Sequence, residues 1–179
     1  LFFMDRLDPI PKVAVEIKPK FEERYRALLG DKYDDFMKYS FSYINKSIRV
    51  NTLKISVAEI KKKLEKNWKL TPIPWCKQGF WIEDKKGERF DIGNIAFHQL
   101  GYFYIQEAAS MIPPVVLDPK PGELVLDMCA APGSKTTQMA AMMQNKGVLV
   151  ANDVLGNRLK PLGINLQKNG VANALISRL

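Results

Sequence analysis

Between Glu123 and Leu179 three short apolar runs alternate with two helical stretches, and this alternation limits the fold more than any other feature of the chain. Glu123-Leu124-Val125-Leu126-Asp127 reads as a short apolar strand ending in an acid. Gly147 to Ala151 is a second strand of the buried type, followed by Asn152-Asp153, and Ala174 to Leu179 begins a third. A small-residue loop, Cys129 to Gly133, leads from the first strand into a helix that Ser134 is expected to cap and that should run to Asn145. After the second strand, Leu155, Leu159, Leu162 and Leu166 form an apolar stripe at helical spacing, stopped by Asn169-Gly170. The pattern β-α-β-α-β is the first half of a doubly wound parallel sheet, an α/β Rossmann-like arrangement of three strands.

Such sheets bind ligands at the carboxyl ends of their strands. Asp127 and Asp153 stand at two such ends, 26 residues apart. An acid after the second strand can accept hydrogen bonds from both ribose hydroxyls of an adenosine-type ligand. Ala130, Ala131 and Gly133 let the backbone come close to a ligand, and Pro132 stiffens the loop. The helix that follows points free N–H groups at an anion such as a carboxylate. The loop is neither G-x-G-x-x-G nor a Walker A sequence, although Gly133-Ser134-Lys135-Thr136 echoes the end of the latter. An adenosine-type ligand without a pyrophosphate fits best.

The chain up to Gly101 reads differently. An extended, proline-spaced lead runs from Pro9 to Pro19. Phe21, Tyr25, Leu28 and Leu29 then mark a helix ended by Gly30, and Asp31 to Tyr39 a second one. Ser47 to Leu53 alternates in the manner of a strand. Ser56 with Glu59 signals a capping box for a helix whose buried face is Ile60, Leu64 and Trp68. Leu70 to Trp75 and Gly79 to Glu83 are expected strands, with a turn at Lys86-Gly87. This is a small α+β module resembling an RNA-recognition fold, an analogy of architecture alone. The expected division is residues 1–101, an RNA-binding module, and residues 102–179, the Rossmann-like part, which should open with a helix from Gln106 to Met111.

The 179 residues suffice for one ordinary domain or two small ones, and no apolar run is long enough to span a bilayer. The start, Leu1-Phe2-Phe3-Met4-Asp5, lacks the features of a signal peptide. Two cysteines, Cys76 and Cys129, make no disulfide framework, and a single histidine, His98, leaves no basis for a metal site. A soluble cytoplasmic protein is expected, with no membrane partner. Its net charge is +8, and nine Lys/Arg stand against two acids between Lys46 and Lys77. That window is either an RNA-facing surface or a solvated helix face.

The segment Asp127-Met128-Cys129-Ala130-Ala131-Pro132-Gly133-Ser134-Lys135-Thr136-Thr137 resembles the cofactor motif of the Nol–Nop–Sun (Sun-domain) family of RNA cytosine-C5 methyltransferases. Tyr104-Ile105-Gln106-Glu107-Ala108-Ala109-Ser110-Met111 is similar to that family's preceding motif, and Ala151-Asn152-Asp153 with Arg158 to its next one. Ser134 departs from the second glycine found in many members. The resemblance covers the second unit well and the first loosely. It implies that the cofactor is S-adenosylmethionine, with Cys129, Ala130, Ala131, Pro132 and Gly133 at its methionine part. Asp153 would then hold the ribose, Arg158 would lie at or behind the site, and Lys135 would sit between cofactor and base in a supporting catalytic role. It implies RNA as partner, ribosomal RNA included; the small size and basic charge of the chain favour tRNA, in the manner of an archaeal-type tRNA member, with ribosomal RNA as the alternative. The family's attacking cysteines lie in later Pro-Cys and Thr-Cys motifs, and neither dipeptide occurs here. The chain is therefore expected to be the cofactor-binding half of a longer enzyme, inactive alone and poorly stable or self-associating.

Each residue also has a plainer reading. Cys129 is tempting as nucleophile, but the resemblance puts it in the cofactor loop; Cys76, His98, Trp68, Trp75 and Trp81 fit structural roles. Met139, Met142 and Met143 fit a buried helix face. Asp153 could cap a helix, Asp127 could simply fix the loop, and Lys135 could be a solvated first-turn lysine. A non-catalytic RNA- or cofactor-binding module, or a methyltransferase acting on protein or small molecules, are the rival functions.

Overall fold

The computed structural model describes residues 16–42, 44–86 and 91–179. The chain forms two compact units, one ending at Asn45 and one running from Lys46 to Leu179. The lead from Pro9 to residue 15, and Gly87 of the expected turn, lie outside the described residues.

The first unit is a helical hairpin. Helix α1 spans Pro19–Leu29 and α2 spans Tyr33–Ser40, joined by a 3-10 turn at Gly30–Lys32. Pro19 opens α1 instead of closing the extended lead, because a first-turn residue needs no N–H donor. Phe21, Tyr25 and Phe36 pack ring on ring, with centroids 4.4 Å apart for Phe21–Tyr25 and 5.0 Å for Tyr25–Phe36. The Arg26 guanidinium lies 4.1 Å from the ring centre of buried Tyr33.

The second unit begins with strand β1 (Ser47–Val50), helix α3 (Val57–Leu64), and strands β2 (Trp68–Ile73) and β3 (Cys76–Asp84). Helix α4 (Ala96–Gln99) and strand β4 (Phe103–Ile105) complete a βαββαβ order. The sheet is antiparallel in the order β2-β3-β1-β4. One face, with Ile48, Val50, Phe80, Ile82 and Phe103, closes on Ile60 and Leu64 of α3. The Ser56–Glu59 capping box is formed in both directions. Trp68 shares that core but starts β2 rather than ending α3, because α3 stops at Leu64. β1 stops at Val50 because buried Asn51 turns the chain, accepting the Leu53 N–H and donating to the Gly101 and Asn169 carbonyls. β4 lies just past Gly101, the expected division, and pairs with β1.

Residues 106–111 are not the expected helix. A 3-10 turn at Ala109–Met111 leads into α5 (Ile112–Leu117), which Pro113 and Pro114 begin rather than end. Strands β5 (Leu124–Asp127), β6 (Val148–Asn152) and β7 (Ala174–Ser177) then form a parallel sheet in sequence order, linked by α6 (Ser134–Met142) and α7 (Gly156–Asn169). The cap of α6 is Gly133, and Ser134 is its first residue. α6 ends at Met142, before the expected Asn145, because Gln144 and Asn145 take positive φ of 56° and 57°.

Both helices cover the same sheet face. Val125 and Leu149 pack under Met139, Ala140 and Met143 of α6, and Ala151 packs under Leu162 and Leu166 of α7. Met142 is only half-buried, so two of the three expected methionines face that core. The other face carries Leu124, Leu126 and Leu175, which are 76%, 59% and 62% exposed.

Candidate cofactor site

The carboxyl ends of β5 and β6 bring the loop 128–133 and both expected acids together. Asp127 fixes the loop from below: it accepts the Cys129 N–H at 3.3 Å and the Thr136 hydroxyl at 2.7 Å. The loop's next turn closes through Gly133 N–H to the Ala130 carbonyl at 2.7 Å, and Ala130 N–H reaches the Asn152 carbonyl at 2.8 Å. The Ala131–Pro132 peptide is cis. Gly133 has φ of 107°, and a Cβ there would stand 3.2 Å from the Leu162 side chain. A larger residue is therefore strained by the backbone conformation and must push the Leu162 side chain of α7 aside.

Asp153 ties this loop to α7. It is 2% exposed; one oxygen accepts the Leu155 N–H at 3.1 Å, the other the Ala131 N–H at 3.2 Å. Arg158 lies 3.3 Å from the second oxygen and also donates to the Ala131 carbonyl. Three donors thus meet a carboxylate with about four acceptor sites, leaving capacity for one more. Asn165 donates to the Pro132 carbonyl at 2.8 Å.

Thr137 N–H already bonds the Gly133 carbonyl, while the N–H groups of Ser134, Lys135 and Thr136 have no partner among the described residues. They form the positive end of α6. Lys135, half-buried, has no hydrogen bond or ion pair among the described residues. Cys129 is exposed beside the loop, as is Pro132. Exposed Met128, Val154 and Leu155 add an apolar rim at the same strand ends, 70%, 67% and 51% exposed. The arrangement suits a ligand with a flat apolar part, hydroxyl donors and an anionic end.

Other candidates are placed elsewhere. Cys76 is buried against Gln78 and Gln138, and burial raises its thiol pKa. His98 bridges α4 and α7: its Nδ1–H donates to the Gly93 carbonyl at 2.6 Å and its Nε2 accepts from Lys168 at 3.1 Å. Trp68 is in the core, and Trp75 meets Trp81 edge-on while donating to the Ala108 carbonyl. Among the described residues no cluster of three or more His, Cys, Asp or Glu side chains is gathered, and no helix is long and apolar enough to cross a membrane.

Sequence reasoning missed Thr136, Asn165 and Arg49. Arg49 is 2% exposed on β1 and donates to the Ser134 carbonyl at 3.2 Å and the Thr137 hydroxyl at 2.9 Å, gripping the first turn of α6. The basic window of the sequence includes it as one of nine cations, whereas in the structure it is a charge within β1, all four residues of which are buried. That window is also partly spent. Lys54 binds the Leu100 and Lys168 carbonyls, Lys61 pairs with Glu65, and Lys69 pairs with Glu83. Lys62, Lys66 and Lys77 remain exposed without a partner among the described residues.

Comparison with known proteins decides the family. The family described as the N-terminal domain of 16S rRNA methyltransferase RsmF matches residues 17–108, and the family 16S rRNA methyltransferase RsmB/F matches residues 114–179. The chain belongs to the Sun-domain (RsmB/F) family of RNA methyltransferases. Among Sun-domain relatives, the ribosomal RNA small subunit methyltransferase F of Photobacterium profundum is 47% identical over 166 residues, 90% of this chain and 35% of that protein. The tRNA (cytosine(49)-C(5))-methyltransferase of Pyrococcus abyssi is 47% identical over 163 residues, 90% of this chain and 51% of that protein. A crystal structure of a methyltransferase homolog protein from Pyrococcus horikoshii superposes with a TM-score of 0.82 at 41% identity, covering 91% of this chain and 53% of that one. The chain thus spans between about a third and half the length of these relatives.

Proposed function

We propose that this chain is the cofactor-binding half of an RNA cytosine-C5 methyltransferase that uses S-adenosylmethionine and acts on tRNA. The observation that carries the reading is the loop 128–133, held between Asp127 and Asp153 beside a helix terminus with three free N–H groups. The residues fit the cofactor. The free N–H groups of α6 would take its carboxylate, Cys129 to Gly133 would face its methionine part, and the remaining acceptor capacity of Asp153 would take a ribose hydroxyl. Arg158 would support the site by holding Asp153 and the Ala131 carbonyl in place. The apolar rim of Met128, Val154 and Leu155 would cover the purine.

S-adenosylmethionine bound there supplies an electrophilic methyl group. Lys135, half-buried in the first turn of α6, would orient a flipped-out cytosine or offset the charge of the adjacent phosphate. Attack on the cytosine C6 requires an accessible thiolate. Cys76 is buried with a raised pKa and cannot serve, and Cys129 lines the cofactor loop. We assign RNA binding to residues 1–101 and cofactor binding to residues 102–179, with β4 bridging the two through its pairing with β1.

The tRNA assignment is supported by the 47% identity to the Pyrococcus abyssi tRNA enzyme. Ribosomal RNA is the second reading, supported by an equal identity to the Photobacterium profundum relative and by the two matching families. Titration of S-adenosylmethionine into this polypeptide by calorimetry tests the cofactor reading: saturable binding is expected, and none would sink it. Salt-dependent binding of tRNA but not of a ribosomal RNA fragment is the expected result for the substrate; the reverse preference assigns the chain to the second reading.

A further inference from the structure

Arg49 faces a cleft between the four-stranded sheet and α6. The cleft encloses about 560 Å³ and is lined by Arg49, Thr52, Gln78, Gln138 and Gln144, together with apolar groups. No carboxylate is among its lining residues. Arg49 is 2% exposed, and no acid pairs with it among the described residues. It spends one donor on the Ser134 carbonyl and one on the Thr137 hydroxyl, and its Nε–H has no partner. The Tyr104 ring, 5.7 Å away, gives it partial shelter. Burial lowers its pKa to about 10, so it still carries its charge at neutral pH.

A buried, unpaired charge is costly unless something offsets it, and nothing lining the cleft does. Its position makes the imbalance worse. The guanidinium sits against the first turn of α6, the positive end of that helix. Thr52, Gln78 and Gln144 add neutral groups able to donate around the same space, and Thr52 and Gln144 are exposed at its mouth. One buried cation, several neutral donors, no acid and an open mouth match the chemistry of a phosphate-type oxyanion.

We propose that this cleft is a phosphate-binding site, distinct from the loop 128–133, with Arg49 as its counter-charge. The phosphate is either free inorganic phosphate or a backbone phosphate of bound RNA. The second source rests on the reading of the chain as half of an RNA methyltransferase, and it would link RNA seated on the β1 sheet to the helix that carries the cofactor loop.

The experiment uses the 179-residue chain, titrated with inorganic phosphate against chloride at equal ionic strength, with melting temperature and calorimetry as readouts. Phosphate should raise the melting temperature where chloride does not. In Thr52→Glu and Gln144→Glu, which place a carboxylate at the exposed mouth, the phosphate shift should vanish. Without phosphate the melting temperature of these variants should be no lower than that of the wild type, because the added carboxylate itself offsets Arg49, and the affinity for S-adenosylmethionine should stay as in the wild type. Arg49→Lys, which keeps the charge, should retain a reduced phosphate shift. If RNA is the source, a short single-stranded RNA competes with phosphate, and Gln144→Glu weakens RNA binding about tenfold while lowering the salt slope by about one. Absence of a phosphate-specific shift, or an undiminished shift in both mouth variants, overturns the site. A phosphate shift that RNA does not compete for overturns the RNA source and leaves free phosphate. Loss of S-adenosylmethionine binding alone overturns the cofactor reading and leaves this site standing.

Discussion

Asp153 accepts hydrogen bonds on both carboxylate oxygens, and an amide cannot do the same. In Asp153→Asn the NH₂ group would face either the Ala131 or the Leu155 N–H, and Arg158 would lose its ion pair. Hydrogen bonds to charged groups contribute about 1.5–3 kcal/mol, so affinity for S-adenosylmethionine should fall at least about tenfold. Calorimetry reads this directly; unchanged affinity would detach Asp153 from the cofactor. Gly133→Ala acts through the backbone: at φ of 107° it should cost about 1–2 kcal/mol before its contact with Leu162 is counted. It should lower both melting temperature and cofactor affinity. Both residues were legible in the sequence, because an acid after a strand and a glycine before a helix have few other uses in an α/β unit. The ties that hold them were not. Thr136, Asn165 and Arg49 hold the loop and the first turn of α6 through partners 9 to 88 residues away, a distance that local pattern does not encode.

Helix α7 is fastened at its C-terminal end, and that fastening joins the two sheets. Lys54 and Asn51 donate to the Lys168 and Asn169 carbonyls, supplying a cation and an amide where the helix has spare acceptors. Gly101 lets the chains close: at φ of 69°, a Cβ would stand 2.1 Å from the Lys168 carbonyl oxygen. Gly101→Ala should therefore destabilise the chain by about 2 kcal/mol or more, seen as a lower urea midpoint. His98 belongs to the same junction. Burial, then the Lys168 charge, lowers its pKa from 6.5, despite its bond to Gly93. The unfolded chain then binds more protons than the folded one. Stability is full above about pH 6.5 and falls as pH drops from there toward the lowered folded value. His98→Gln should flatten the urea midpoint across that interval; an unchanged slope would assign the pH dependence to another group. Neither Gly101 nor Lys54 carried a sequence signal, since their roles come from residues more than 45 positions away. Elements with strong local signatures fared better. The α3 capping box and the Gly170 stop of α7 stand where the pattern put them, whereas Trp68 kept its burial and lost its helix, because burial follows the core and not the element.

At the scale of the molecule, two sheets carry unequal cover. The antiparallel sheet has α3 on one face and, through Met111 and Arg49, groups from α6 and its surroundings on the other. The parallel sheet has both of its helices on a single face, as strands in sequence order with same-handed crossovers require. Its other face presents Leu124 and Leu126 on β5, Val148 and Val150 on β6 and Leu175 on β7, with Leu126, Val150 and Leu175 in register across the three strands. Parallel sheets are ordinarily buried on both faces, and a contiguous apolar patch of this kind drives association. The 179-residue chain should therefore self-associate in solution, with a sedimentation coefficient that rises with concentration. Leu126→Glu combined with Leu175→Lys places opposite charges on the open face without touching the core beneath α6 and α7. That variant should sediment as a monomer and keep its affinity for S-adenosylmethionine, because loop 128–133 and Asp153 lie at the strand ends and take their ties from the covered side. A wild-type chain that stays monomeric over the same concentrations would mean that the exposed leucines do not meet across copies. A variant that loses cofactor affinity would mean that the open face and the strand ends are mechanically one unit.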